Sequence, residues 1–286
     1  MQYGLYLPNF APWGTARAIA DLAHSAEDAG WDGLYMWDDC AGFEVEMVDP
    51  WVALSAAAML TTRLRLGALI TPLARRRPWK FARETVSLDH LSNGRLVVGV
   101  GTGGGEDEWA HFGEETNPRV RGDMLDEALR VITGLWSGEP FSHMGTHYHV
   151  QGTRFLPASQ QQPRIPIWVG GIWPHKRPLA RMAQWDGMFP LFFSAKSPAE
   201  ALAQFQQSVA SVRAMRSTSA PFDVIALGAT PLDQPLETAQ TVRPYADAGA
   251  TWWLESIAPQ RMGQPDEETW SVEQLLARVR QGPPRL

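Results

Sequence analysis

The chain of 286 residues is nearly devoid of cysteine, because Cys40 is the only one. A lone cysteine forms no internal disulfide and no clustered thiolate metal centre. No apolar run approaches the roughly 20 residues that a membrane-spanning helix needs, and the first residues show no basic region followed by an apolar signal core. These absences predict a cytoplasmic protein without a disulfide framework and without a membrane partner.

Positive charge is also scarce. The 25 Lys and Arg residues are outnumbered by 31 Asp and Glu residues, and the net charge is −6. Nucleic-acid binding would require concentrated Lys and Arg to contact phosphates, and the one basic cluster, Arg75-Arg76-Arg77, is short. The composition therefore predicts no nucleic-acid partner. With 44% hydrophobic residues, the chain can bury one large α/β core or two ordinary ones.

Short apolar strands alternate with amphipathic helices along the chain. The predicted strands are 3–7, 33–37, 64–71, 96–100, 165–169, 188–192, 222–227 and 251–255. The predicted helices are 15–29, 50–60, 79–91, 119–136, about 174–185, 198–215, 235–248 and 272–280. Each helical crossover returns the chain to the same end of a parallel sheet, so eight units predict a closed (β/α)₈ TIM barrel.

We expect this barrel to be a single α/β domain over 1–286, with a hairpin-like insertion at about 137–162 after the fourth unit. A doubly wound open sheet is the alternative, although it usually needs fewer units and leaves two edges to cover. In a barrel the ligand site lies at the C-terminal ends of the strands. Those ends carry Pro8-Asn9, Asp38-Asp39-Cys40, Ile70-Thr71, the glycine run from Gly101 to Gly105 with Glu106, Gly170-Gly171, Pro190-Leu191, Gly228 and Glu255.

This set of strand ends is rich in glycine and poor in metal ligands. It contains no His-Glu-x-x-His pair and no strand end with several histidines, so we predict no catalytic metal. His147 and His149 alternate within the insertion, where they are either metal ligands or exposed polar residues. The glycine run lets a ring system lie against a strand end, or it is a turn before a mobile loop.

Gly170-Gly171 follows a buried strand and precedes a helix predicted to begin near Pro174. Glycine allows close approach to a ligand, and a helix N-terminus attracts anions. Lys176, Arg177 and Arg181 add positive charge nearby, a combination that suits a phosphate. The alternative is a turn that requires glycine for its geometry alone.

Asp38 and Asp39 point in alternate directions if the strand continues through them. One then faces the barrel mouth while the other caps a loop. A carboxylate at the mouth can accept hydrogen bonds from a cofactor ring, or it can act as a general base if burial raises its pKa. A plain capping or ion-pair role is the alternative for each residue.

Several of these stretches together resemble the bacterial luciferase-like monooxygenases. They are LYMWD (34–38), LGALITP (66–72), LDHLSNGR (88–95), GVGTG (99–103), FG (112–113) and IWVGG (167–171). They occur in the family's order over most of the first 192 residues. The resemblance implies a (β/α)₈ barrel with an insertion after the fourth unit, and a flavin-type oxidoreductase that uses reduced FMN or the deazaflavin coenzyme F420.

The resemblance also implies site residues. Leu69-Ile70 matches a place where the family often has a non-proline cis peptide behind the isoalloxazine ring, with Thr71 beside the ring. Asp38 matches an acidic residue at the ring's polar edge, and Asp38 and Asp39 are the candidate catalytic residues. The glycines Gly101, Gly103 and Gly104 would border the cofactor, and backbone N–H groups of Gly170, Gly171 and Ile172 would bind its phosphate.

One departure from the family pattern affects the choice of cofactor. Many F420-dependent members have Asp-His at the second strand end, whereas this chain has Asp38-Asp39. An aspartate donates a proton near neutral pH only if its pKa is strongly raised. The pair therefore favours FMN and oxygen, with F420-dependent hydride transfer as the alternative.

A non-catalytic flavin carrier and a lyase or isomerase barrel are the remaining alternatives. The latter could use a Schiff-base lysine, but no lysine falls within a predicted strand. We expect a small organic substrate as partner and consider a homodimer a possible assembly. Candidate pocket walls are Trp13, Trp37, Trp109, Trp173 and Phe192.

Overall fold

A computed structural model describes residues 1–41, 45–104, 106–258 and 271–284. Its strands are β1 (Gln2–Leu7), β2 (Gly33–Met36), β3 (Arg65–Ala68), β4 (Thr71–Pro72), β5 (Val98–Gly101), β6 (Phe141–Met144), β7 (His149–Thr153), β8 (Ile167–Ile172), β9 (Gly187–Leu191), β10 (Asp223–Gly228) and β11 (Trp252–Ser256). Its helices are α1 (Ala16–Asp28), α2 (Pro50–Leu60), α3 (Pro78–Leu91), α4 (Glu106–Ala110), α5 (Pro118–Trp136), α6 (Lys176–Met182), α7 (Pro198–Met215), α8 (Pro235–Asp247) and α9 (Val272–Gln281), with a 3₁₀ helix at Leu73–Arg75.

The main sheet is parallel and runs in the order β3-β2-β1-β11-β10-β9-β8-β5-β4. β3 and β4 are two halves of the strand predicted at 64–71, separated by Leu69-Ile70. A parallel bridge between Leu66 and Leu96 joins β3 to the segment that enters β5. The sheet therefore closes on itself, which confirms the (β/α)₈ barrel.

Successive side chains of each strand point alternately into and out of the barrel, and this divides the core into two parts. Inward side chains fill the barrel, and outward ones pack against the surrounding helices. The rings of Tyr35, Trp168 and Trp252 contact one another inside the barrel at centroid distances of 5.1–5.6 Å. The buried inward residues are Tyr6, Tyr35, Leu69, Val97, Trp168, Phe189, Ile225, Trp252 and Leu254.

Local sequence fixes where several helices begin. A polar residue precedes the first turn and its side chain accepts a backbone N–H, which satisfies one of the free donors of a helix start. The residues with this role are Thr15 for α1, Asp49 for α2, Asn117 for α5, Ser197 for α7 and Ser271 for α9. Proline occupies the start of α2, α5 and α7, where its missing N–H costs nothing.

The predicted insertion is an antiparallel hairpin formed by β6 and β7. The carboxylate of Glu127, on α5, accepts backbone N–H groups from Thr146, His147 and Tyr148 at 3.1, 2.9 and 2.7 Å. His149 Nε2 lies 2.7 Å from the Gly145 carbonyl oxygen. Over the described ranges, no three His, Cys, Asp or Glu side chains form a metal-binding group.

Two local expectations were wrong. β8 continues through Gly170 and Gly171 to Ile172, so the glycine pair lies within a strand rather than at a turn. The following helix, α6, begins at Lys176 rather than near Pro174 and has 7 residues. The short helix α4 was not foreseen. Among the residues described, none of the helices is both long and apolar enough to span a membrane.

Candidate active site

The break between β3 and β4 lies at the C-terminal end of the barrel. The Leu69–Ile70 peptide bond is cis, as the family resemblance implied. The Tyr6 hydroxyl donates a hydrogen bond of 2.8 Å to the Leu69 carbonyl oxygen. Leu69 is buried inside the barrel, while Ile70 is half-buried above it.

Three glycines make room for this break. A Cβ atom placed on Gly99 would overlap Leu69, and Cβ atoms on Gly101 and Gly170 would overlap Cδ1 and Cγ2 of Ile70. The space left by Gly101 is therefore filled by Ile70 rather than open to a ring, and the same side chain fills the space left by Gly170. That their backbones border a cofactor remains a prediction.

The other candidate glycines have different surroundings. A Cβ on Gly103 would overlap Trp109, whereas one on Gly104 would meet nothing closer than Glu108 Oε2 at 3.9 Å. Gly104 thus lies beside open space. Gly171 faces outward, because a Cβ there would overlap Pro178 of α6. Gly105, the last residue of the run, lies outside the described residues.

The two arginines beyond β8 are already engaged by carboxylates. Arg177 pairs with Asp123 and Asp126 of α5, and Arg181 pairs with Asp126. Arg181 also donates to the Gly122 carbonyl oxygen at 2.9 Å. These contacts tie α6 to α5, so the interpretation of these arginines as a phosphate-binding cluster is not supported.

Asp38 is buried at the end of β2 and is held by donors from three elements. Its Oδ2 accepts hydrogen bonds from Thr71 Oγ1 at 2.6 Å and Trp51 Nε1 at 3.1 Å. Arg76 Nη2 lies 2.8 Å from its Oδ1. Thr71 is itself fully buried. Asp38 and Thr71 therefore connect the end of β2 to α2 and β4. A catalytic role for Asp38 remains a prediction.

Asp39 is in a different environment from its neighbour. Its side chain is half-buried, and none of its carboxylate oxygens has a hydrogen-bond partner among the described residues. Burial, followed by the nearby Glu108 and Asp38 carboxylates, raises its pKa to about 6, although Arg75 opposes the shift. Asp39 can therefore both accept and donate a proton near neutral pH.

Arg75 and Arg76 also belong to this site. The sequence showed them only as part of a short basic cluster. Arg75 donates to Glu108 at 2.7 Å and to Glu114 at 2.8 Å, and its guanidinium carbon lies 4.3 Å from the Trp109 ring centroid. Arg76 holds Asp38. Their position directly after the third strand end was the available signal, because that end faces the ligand site.

Of the five aromatic residues predicted as pocket walls, Trp37 best fits this role. It is half-buried, packs on the inner cluster, and lies 6.0 Å from Tyr6 and 5.5 Å from Phe10 between ring centroids. Trp13 and Trp109 are buried, whereas Trp173 and Phe192 pack against the outer core. The half-buried inward residues Trp37, Ile70, Leu191 and Leu227 form what we call the apolar floor.

The C-terminal end of the barrel therefore carries half-buried apolar side chains and, in Asp39, a carboxyl group whose pKa is raised to about 6. The model of the luciferase-like monooxygenase family matches residues 1–278. The chain is 37% identical over 123 residues to an uncharacterized protein of Mycobacterium tuberculosis, a match that covers 43% of each chain. It thus spans less than half the length of that relative.

Two solved structures show the same fold. The coenzyme F420-dependent tetrahydromethanopterin reductase from Methanopyrus kandleri superposes with a TM-score of 0.74 at 17% identity, covering 98% of each chain. The oxygenating constituent of 3,6-diketocamphane monooxygenase from Pseudomonas putida, a type II Baeyer-Villiger monooxygenase in complex with FMN, gives 0.64 at 18% identity, covering 85% of this chain and 71% of the other. With the family match over nearly the whole sequence, the chain belongs to the luciferase-like monooxygenase family of enzymes.

Proposed function

We propose that the protein is an oxidoreductase that binds a flavin-type cofactor at the barrel mouth and uses Asp39 to transfer a proton. The observation that carries this proposal is the contrast between adjacent carboxylates. Asp38 is saturated by Thr71, Trp51 and Arg76, whereas Asp39 has a pKa of about 6 and no partner for its carboxylate among the described residues. A group whose pKa lies near the working pH is well suited to acid–base catalysis.

The residues present fit a flavin-type ring. Ile70 and the rest of the apolar floor offer a surface for an aromatic heterocycle, and Gly104 leaves open space at the next strand end. We assign the ring to the strand break at Leu69, Ile70 and Thr71, where Ile70 is the partly exposed residue, with Gly101, Gly103 and Gly104 at its border. The phosphate is assigned to backbone N–H groups at Gly170, Gly171 and Ile172, since Arg177 and Arg181 are engaged elsewhere.

Between the two cofactors we propose coenzyme F420, on the sequence position and the raised pKa of Asp39. When bound, reduced F420 supplies a hydride to the substrate. Asp39 occupies the position at which many F420-dependent members have histidine, and its pKa of about 6 is close to the ordinary histidine value of about 6.5. An aspartate in place of histidine at this position therefore does not argue against F420, because this aspartate can donate a proton.

Reduced FMN acting with oxygen is the second candidate. The observation that favours it is the apolar floor, which would keep water away from a reactive ring edge. In either case this chain's own residues orient the ring and the substrate, exclude water with Trp37, Leu191 and Leu227, and hold a proton on Asp39. The substrate class we propose is a small organic molecule.

The test is an anaerobic titration of the purified protein with F420 and with FMN, followed by turnover assays of the reduced cofactors with a substrate panel, with and without oxygen. We expect micromolar affinity for F420 and oxygen-independent turnover. Oxygen-dependent turnover with reduced FMN would select the second candidate. If neither cofactor bound at micromolar concentration, the proposal would be wrong.

Two substitutions at Asp39 sharpen this test. Asp39→Asn should bind the cofactor normally and lose about 100-fold or more in turnover, because the proton donor is gone. Asp39→His should retain most of the activity if F420 is the cofactor. If Asp39→Asn turned over like the wild type, Asp39 would not transfer the proton.

A further inference from the structure

Asn9 is a buried polar residue that connects three segments at the barrel mouth. The residue is 1% exposed. Its Nδ2 donates to the carbonyl oxygens of Asp39 at 2.8 Å and Val48 at 2.9 Å, and its Oδ1 accepts the Asp39 N–H at 3.3 Å. Its own carbonyl oxygen accepts the Val48 N–H at 2.8 Å. The sequence placed Asn9 at a strand end without giving it a role.

These bonds continue the β1–β2 ladder beyond its end. The last backbone bond between the two strands runs from the Trp37 N–H to the Leu7 carbonyl oxygen, at 3.0 Å. Two residues further along each strand, the Asn9 side-chain amide takes the place of backbone partners: it donates to the Asp39 carbonyl oxygen and accepts the Asp39 N–H. A side-chain amide offers a donor and an acceptor side by side at any pH.

We propose that Asn9 is the positioning residue that holds Asp39 in place at the barrel mouth. The two bonds to the Asp39 backbone fix the orientation of its Cα–Cβ bond, and the bond to Val48 fixes Asn9 itself. Asp39 depends on this support because β2 ends at Met36. The catalytic meaning of the position rests on the proposed function, whereas the positioning does not.

The charged groups around Asp39 explain why its placement matters. Asp38 from the end of β2, Glu108 from α4 and Arg75 from the 3₁₀ helix act on its carboxyl group, and the buried Tyr6 hydroxyl of β1 lies near it. Burial and the two carboxylates raise the pKa only while Asp39 stays among them. Without the Asn9 bonds, the backbone at Asp39 can move outward. Water then solvates the carboxyl group, and its pKa returns to the ordinary value of about 3.9.

The test is an NMR titration of the ¹³C-labelled Asp carboxyl groups in the cofactor-free protein, with the Asp39 signal identified from its absence in Asp39→Asn. We expect Asn9→Ala to lower the Asp39 midpoint by about one pH unit or more. Asn117→Ala is the matched control, because it removes the cap of α5 without touching Asp39. An unchanged Asp39 midpoint in folded Asn9→Ala would overturn the proposal.

Hydrogen exchange of the wild-type protein gives a second readout that requires no variant. The Asp39 amide should exchange as slowly as the ladder amide of Trp37, and rapid exchange would also overturn the proposal. In turnover assays, Asn9→Ala should shift the pH profile to lower pH, in the same direction as the Asp39 midpoint in the NMR titration. If neither cofactor bound while the midpoint still moved, the proposed function would be wrong and the positioning by Asn9 would stand.

Discussion

The side chain of Ile70 fills the space that a Cβ atom on Gly101 would occupy. Gly170 has the same relationship to a different atom of this side chain, since its Cβ would overlap Cγ2 rather than Cδ1. The two glycines thus support one residue of the apolar floor from two strands, β5 and β8. Their contacts can be separated, because Ile70→Val removes Cδ1 and keeps Cγ2.

We predict that Gly101→Ala destabilises the protein by about 1 kcal/mol and that Ile70→Val relieves most of this cost. Gly170→Ala should cost about 2–3 kcal/mol, because the β-branched Cγ2 cannot swing away, and Ile70→Val should not relieve it. Urea unfolding of the single and double variants measures each value. Equal relief of both glycine variants would contradict the separate contacts of Gly101 with Cδ1 and of Gly170 with Cγ2.

The raised pKa of Asp39 carries a stability cost. A carboxyl whose folded pKa lies above its unfolded value stabilises the fold most in acid, and this contribution is lost as pH rises from about 4 through about 6. Asp39→Asn should therefore be more stable than the wild type at pH 8, on the order of 2 kcal/mol, and should lose this advantage near pH 4. The measurement is chemical denaturation at both pH values.

Asp247→Asn provides the control for that experiment, since Asp247 is exposed at the end of α8. Its stability relative to the wild type should hardly change with pH. A pH-independent effect of Asp39→Asn would mean that Asp39 is not a buried acid.

Asp39 also sets the expected pH dependence of turnover. A reaction that needs the protonated acid should slow as pH rises through about 6, whereas the reverse reaction, which needs the carboxylate, should speed up over the same interval. Asp39→Asn should flatten this transition. The assay is the pH profile of kcat in each direction, and a profile that keeps its transition near pH 6 in the variant would assign the transition to another group.

The arginines of α6 should matter for stability more than for cofactor binding. The Arg181 side chain is 6% exposed and contacts Asp126 and the Gly122 carbonyl oxygen, so Arg181→Met should cost about 1–3 kcal/mol. Arg177 is 45% exposed, and Arg177→Met should cost less than about 1 kcal/mol. Both variants should bind the cofactor like the wild type. A tenfold loss of affinity in Arg177→Met would instead support a contact with the phosphate.

Glu127 should control the insertion hairpin. Burial raises its pKa, but the backbone N–H groups of His147 and Tyr148 and the His143 side chain outweigh that effect and lower it overall. A carboxyl group whose pKa is lower in the folded state than in the unfolded state stabilises the fold at pH values above the unfolded-state pKa. This contribution is lost as the pH falls through the folded-state pKa. Glu127→Gln should therefore lower the protection of the amides from Thr146 to Tyr148 against exchange at neutral pH, and protonation of Glu127 in acid should lower it in the wild type.

The matched control for the hairpin is Glu139→Gln, an exposed residue between α5 and β6. It should leave the exchange rates of this turn unchanged. Slow exchange in Glu127→Gln would show that the turn holds without the carboxylate.

Much of the fold followed from local sequence. Helices α2 and α7 have the predicted bounds, 50–60 and 198–215, because a polar cap and a proline mark each start. Strand–helix alternation predicted the closed barrel and so identified the strand ends at which the candidate site lies. The strand through Gly170-Gly171 was misjudged, because glycine that makes room for a neighbour looks the same in sequence as glycine in a turn.

The sequence by itself determined the barrel and most of the strand ends, because hydrophobic period and turn residues act over short distances. Its motifs carried the resemblance to the family. Only the tertiary structure decided how those ends are used. Asn9 meets Asp39 across 30 residues, Thr71 meets Asp38 across 33, and Arg177 meets Asp123 across 54. Two adjacent aspartates therefore differ for a reason absent from their own stretch, since burial and hydrogen-bond partners are set by segments that fold against them from elsewhere in the chain.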